Sequence, residues 1–301
     1  MKKDKEIKRH KYTNDMGNLI TLFKNFRPYR SVHYSGLVIG GALIACWQSG
    51  QVDYILHYGL RTISLAAAII LAFQSACVLN DFYDVEGDKS TNPARPLSSN
   101  SVSEGLYRRW GYLCFAASLL LSALAGLFPL VMIIMFQILY TVYSMPPLRL
   151  KRIFPINTAI IAVNGLIAMA AGFGIIAGFE TFYFLPSRLA LTIGVVFITS
   201  INMIYIKDRK SDMLAGIKSI PTMMSERASR RVIALLTVAA YFSVPLILGI
   251  SSLYIFSFIG AAFGAYWVLR KKWNEGPYFI TYFIYYVIMI YYIRVEGIAN
   301  I

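Results

Sequence analysis

Two short stretches of this chain carry the residue types that could do chemistry. In "LNDFYDVEGDK" (79–89), Asn80, Asp81, Asp84 and Asp88 form N-D-x-x-D-x-x-x-D, with intervals of three and four residues after the adjacent first pair. On a continuous helix that spacing puts them on one face, with Glu86 outside the stripe. In "KDRKSDMLAGIKS" (207–219), Asp208 and Asp212 repeat the four-residue interval, and Gly216 follows four further on. Carboxylates held this close repel one another unless a cation neutralises them. Mg²⁺ is such a cation: it takes one or two carboxylates and completes its shell with water and substrate phosphates. Two clusters of this kind facing one cavity would grip one diphosphate. Lys89, Arg95, Arg149, Lys151, Lys207 and Lys218 are the cations available for its remaining charge.

The surrounding chain says what positions these clusters. It has 301 residues, is 57% hydrophobic and only 15% charged, which implies an integral membrane protein. Lys and Arg outnumber Asp and Glu by 29 to 15. In a membrane protein that excess reflects cytoplasmic loops and anionic lipid, so no nucleic-acid partner is expected. Apolar segments near 31–49, 62–82, 109–125, 127–145, 156–178, 189–207, 231–249, 251–269 and 277–294 predict an all-α bundle of about nine transmembrane helices. "AGLFP" and "GISS" predict tight hairpins between helices 3 and 4 and between helices 7 and 8.

The connections after helices 2, 4, 6 and 8 carry the charge, and those after the odd helices carry little. The positive-inside rule then makes the N-terminus and all the charged connections cytoplasmic and leaves the C-terminus on the opposite side. Both acidic clusters fall on that one face. Residues 1–30 read as a basic cytoplasmic segment without a signal peptide, in which "NLITLFKNF" suggests a short surface helix; residues 31–301 form a single membrane domain.

Other polar residues receive blander expectations. Asp53 and Glu180 read as solvated helix ends, and Glu86 and Glu104 as surface carboxylates. His10, His33 and His57 share no metal-ligand spacing. Cys46, Cys77 and Cys114 lie in apolar runs and read as small core residues. Arg27 and Arg30 read first as membrane anchors, and second as contacts for a carboxylate-bearing acceptor.

Taken together, "NDFYDVEGDKSTNPARPL" (80–97), "YSMPPLRLKR" (143–152) and "DRKSDMLAGIKS" (208–219) resemble the UbiA superfamily of membrane prenyltransferases, over nearly the whole chain. The resemblance implies nine helices around a central cavity. It assigns Asn80, Asp81, Asp84 and Asp88 to one Mg²⁺-diphosphate site and Asp208 and Asp212 to the other. Asp81, Asp84 and Asp208 are then expected to act in catalysis, with Tyr140 and Tyr143 as π faces toward an allylic cation. The donor would be an isoprenoid diphosphate, the acceptor a small aromatic molecule or a lipid alcohol, and the product pyrophosphate plus the prenylated acceptor. Where some relatives carry an acid, this chain has Tyr205, which resembles the branch with aromatic-acid acceptors; "NPARPL" instead resembles ether-lipid enzymes. A terpene cyclase of the same superfamily and a transporter are the rival readings. A phosphatidyltransferase is a weaker one, because its D-G-x-x-A-R pattern does not occur.

Overall fold

The computed structural model describes residues 21, 22, 26–50 and 53–297, and among them it is helical with no strand. The surface helix suggested for residues 18–26 lies largely outside the described residues. Among the described residues, nine long helices occupy the nine expected segments: α1 (Pro28–Gln48), α2 (Tyr54–Thr91), α3 (Glu104–Ala125), α4 (Leu127–Ser144), α5 (Ile156–Ala177), α6 (Ser187–Ser200), α7 (Glu226–Leu248), α8 (Leu253–Leu269) and α9 (Glu275–Tyr292). Six of these, with their continuations, are long and apolar enough to cross a membrane. Of the other three, α8 is apolar but has only 17 residues, and α3 carries Glu104, Arg108 and Arg109 in its first turns.

Two helices depart from their apolar cores in ways that matter for function. α2 has 38 residues, about 57 Å at 1.5 Å per residue, against a hydrocarbon core of about 30 Å. It therefore carries Asn80–Asp88 beyond the apolar stretch without breaking. α6 instead tightens into a 3-10 turn, Ile201–Ile204, before a polar extension, Tyr205–Leu214, that holds both acids of the second cluster.

The hairpins are as short as expected. Gly126 alone separates α3 from α4, at a φ of 140° that an L side chain rarely adopts. Gly249, in the left-handed region, ends α7 before α8.

The bundle is packed through small residues where backbones meet. A methyl group on Gly172 would stand 1.9 Å from the Val38 carbonyl oxygen, and one on Gly41 2.1 Å from that of Met169. α1 and α5 are thus in reciprocal backbone contact, the usual solution where lipid offers no hydrophobic drive. A large core spans most of the helices. A satellite of Leu22, Val78, Val102 and Tyr107 lies beneath the α2–α3 connection. The three cysteines are buried and unbridged, as expected.

Candidate active site

The polar ends of α1, α2, α4 and the α6 extension surround a cavity of about 490 Å³. Its charged end is lined by Asn80, Asp84, Asp88, Arg95, Arg149, Lys151, Asp208 and Asp212, its apolar end by Tyr34, Phe73, Tyr140, Phe197 and Phe279. The two acidic clusters, more than a hundred residues apart in sequence, therefore share one chamber.

The first cluster is already paired with cations. Asp84 accepts from Arg149 Nη2 at 2.8 Å, from Asn80 Nδ2 at 2.9 Å and from the Lys151 ammonium. Lys151 also donates to Asn80 Oδ1 at 3.0 Å. Burial lowers the Lys151 pKa from the ordinary lysine value, against the attraction of Asp84. Arg149 adopts the left-handed backbone conformation, at a φ of 39°, and also reaches the Tyr83 carbonyl at 3.1 Å. Such a conformation in a non-glycine residue is costly and collects at functional sites. Asp88 is held by Arg95 and by Asn92 Nδ2.

Asp81 departs from the expected stripe. It is 1% exposed and does not line the cavity. Its Oδ1 accepts from Arg27 at 3.0 Å and Arg95 at 3.1 Å, and its Oδ2 from the Tyr107 hydroxyl at 2.7 Å. Arg27, expected first as a membrane anchor, is thereby drawn to α2. Arg30 likewise faces the cavity and donates to Glu275 at 3.0 Å.

The second cluster differs in its electrostatics. Asp208 Oδ1 and Asp212 Oδ2 are buried and accept no hydrogen bond from the described residues. Two buried carboxylate oxygens without donors, facing a chamber, are ligands suited to a hard divalent cation. Among the described residues, no three acidic, histidine or cysteine side chains converge into a ready-made metal cage. A cation there would take its remaining ligands from water or substrate, as Mg²⁺ does.

Three of the expected cations lie off the cavity lining. Lys89 is exposed and pairs with Glu86 at 2.7 Å, Lys207 pairs with Glu275 at 3.0 Å, and the Lys218 side chain is exposed. Lys218 contributes through its backbone: its N–H donates to the Arg152 carbonyl at 3.2 Å, and its carbonyl accepts from Asn157 Nδ2 at 2.9 Å. Asn157 is fully buried and also reaches the Lys151 carbonyl at 3.3 Å. It ties the turn bearing Lys151 to the loop after the second cluster, a role invisible in sequence because Asn157 and Lys218 are 61 residues apart.

Tyr140 and Tyr143 both line the cavity and both are oriented by other tyrosines. Tyr140 shares a 2.6 Å hydrogen bond with Tyr34, and Tyr143 a 3.2 Å hydrogen bond with Tyr205. Tyr205, Ser144 and Arg152 also line the chamber, and so does Tyr34, which carried no sequence signal of its own.

Known proteins share this fold. The chain is 26% identical over 200 residues to digeranylgeranylglyceryl phosphate synthase of Sulfolobus acidocaldarius, covering 65% of this chain and 68% of the relative. It is 28% identical over 212 residues to the enzyme of that name from Saccharolobus solfataricus, covering 69% and 73%. A solved UbiA homolog from Archaeoglobus fulgidus bound to GPP and Mg²⁺ superposes with a TM-score of 0.68 at 14% identity, over 93% of this chain and 99% of the other. The model of the UbiA prenyltransferase family matches residues 37–287. That match takes in every helix from the middle of α1 into α9, and by it the chain belongs to the UbiA prenyltransferase family.

Proposed function

We propose that this chain transfers a polyprenyl group from an isoprenoid diphosphate to a hydroxyl of a glyceryl phosphate lipid, releasing pyrophosphate. The observation that carries this reading is the polarity of this cavity, with carboxylates and cations at one end and aromatic rings at the other. A diphosphate needs the first and an allylic chain the second. The acceptor follows from the names of the two similar synthases, and it takes precedence over a hydroxybenzoate or quinone precursor.

Mg²⁺ would be held by Asp208 and Asp212 on the α6 side and by Asp84 and Asp88, with Asn80, on α2. When bound, it supplies positive charge against the departing diphosphate. Arg149, Lys151 and Arg95, now paired with carboxylates, are placed to share that charge with the phosphate oxygens. The faces of Tyr140 and Tyr143 stabilise the allylic cation, and the enclosing bundle keeps out water that would capture it. By the positive-inside rule this end of the bundle and the N-terminus are cytoplasmic, and the C-terminus lies on the opposite side.

The test is incubation of the detergent-solubilised protein with geranylgeranyl diphosphate, Mg²⁺ and geranylgeranylglyceryl phosphate, with mass spectrometry of the lipid product. A diether phosphate is expected. A hydrocarbon formed without acceptor would establish a cyclase instead, and an intact donor would overturn the transferase reading.

A further inference from the structure

A continuous chain of rings crosses the apolar end of the cavity. Between centroids, Phe73 of α2 lies 5.4 Å from Tyr34 of α1, Tyr34 lies 5.6 Å from His33, and His33 lies 4.9 Å from Phe197 of α6. All four line the cavity. The bundle is packed beneath them. Leu37, Ile69, Phe136 and Ile193 stand about one turn deeper than lining residues of α1, α2, α4 and α6; all are buried, and none lines the cavity.

Two of these rings hold matching positions on the helices that carry the acids. Phe73 precedes Asp84 by eleven residues, and Phe197 precedes Asp208 by eleven. At 1.5 Å per residue, Phe73 lies about 16 Å along α2 from Asp84. The 3-10 turn Ile201–Ile204 makes the distance along α6 slightly longer. A prenyl chain whose diphosphate sits between the two clusters therefore meets a wall of rings at a fixed depth. We infer that this floor, and Phe197 above all, sets the length of prenyl chain that the donor can carry, an inference that rests on the transferase reading of the site.

Gly165 of α5 governs where the Phe197 ring stands. A methyl group there would lie 2.6 Å from Phe197 Cζ and 2.7 Å from Cε1, too close for both to keep their places. The ring tip is the part that can move, and the packed core below leaves the cavity as the space to receive it. Gly165→Ala thus raises the floor, and Phe197→Ala lowers it. Phe73 is a poorer probe, because its ring also packs against Tyr140 at 5.7 Å, whose face is proposed to meet the allylic cation.

The experiment supplies wild type, Phe197→Ala and Gly165→Ala with Mg²⁺, geranylgeranylglyceryl phosphate and, in turn, farnesyl, geranylgeranyl or hexaprenyl diphosphate. It reads kcat/KM for each donor from pyrophosphate release. A single methylene of misfit in an apolar pocket already costs about tenfold, so wild type should disfavour hexaprenyl against geranylgeranyl diphosphate by roughly tenfold or more. Phe197→Ala should improve that ratio by roughly tenfold or more, and Gly165→Ala should shift preference the other way, toward farnesyl diphosphate. Loss of packing alone would lower the three donors together and would not move the two variants in opposite directions. An unchanged preference in Phe197→Ala, or a shift toward longer donors in Gly165→Ala, would overturn the inference and leave the transferase reading standing. Should Phe197→Ala not fold, Phe197→Leu repeats the test with less volume removed. In either case, equal use of geranylgeranyl and hexaprenyl diphosphate by wild type would also overturn it. No pyrophosphate from any donor with wild type would instead remove the transferase reading, and this inference with it.

Discussion

Lys151 and Asp84 form an ion pair in which the ammonium is almost wholly enclosed, with Lys151 only 4% exposed. The pair joins the turn after α4 to the polar reach of α2, and both its members line the cavity. Removing one member of a buried pair leaves the other uncompensated, at roughly 3–5 kcal/mol. Lys151→Met is therefore expected to lower the melting temperature in detergent and to abolish pyrophosphate binding by calorimetry. Lys151→Arg should not restore turnover, because a planar guanidinium cannot replace a point charge that contacts both Asn80 and Asp84. Wild-type binding in Lys151→Met would remove this residue from the diphosphate site.

The contrast between the two clusters predicts how metal is held. Asp208 and Asp212 keep buried oxygens without donors, whereas Asp84 and Asp88 face arginine and lysine. Mn²⁺, read by electron paramagnetic resonance as a stand-in for Mg²⁺, should bind the wild-type protein. Asp208→Asn and Asp212→Asn should each weaken that binding by tenfold or more, about 1.4 kcal/mol, without unfolding the protein. EDTA should stop turnover and Mg²⁺ restore it. Unchanged Mn²⁺ affinity in both variants would sink the metal assignment.

Asp81 and Asp84 are three residues apart on α2, yet their surroundings predict opposite phenotypes. Asp81 neutralises Arg27 and Arg95 in a nearly dry setting, so Asp81→Ala should lower the melting temperature more than Asp84→Asn does. Asp84→Asn keeps an acceptor oxygen for Arg149 and Lys151, so it should fold with the smaller loss of melting temperature and lose turnover. If Asp81→Ala melts like wild type and loses only metal binding, Asp81 is a ligand after all.

Much of this was written in the spacing of residues, because helix periodicity and charge partition are local properties. The nine segments, the continuation of α2 through its acidic stripe and the shared face of both clusters all follow from such patterns. What could not be read was which side chain meets which across the bundle. Asp81 and Asp84 look alike in sequence, and only Tyr107 and Arg27, from other segments, turn the first into a structural anchor. Lys89, Lys207 and Lys218 sit beside the right motifs but point to Glu86, to Glu275 and to the exposed surface. Helical phase at a chain end is sensitive to a single tightened turn, and the 3-10 segment Ile201–Ile204 supplies one just before Lys207.

Tyr140 offers the sharpest separation of ring from hydroxyl. Its hydroxyl is committed to Tyr34 at 2.6 Å, and its ring packs edge-on against Phe136 and Tyr34 in the cavity wall. If the π face stabilises the allylic cation, Tyr140→Phe keeps that face and removes one net hydrogen bond of about 1 kcal/mol. Turnover should then stay within about tenfold of wild type. Tyr140→Leu keeps apolar bulk but loses the quadrupole, and a desolvated cation–π contact of about 2 kcal/mol corresponds to a roughly 30-fold lower kcat. Equal rates for the Phe and Leu variants would mean that Tyr140 only shapes the wall, and the cation would then need its stabilisation from Tyr143 or from the pyrophosphate itself.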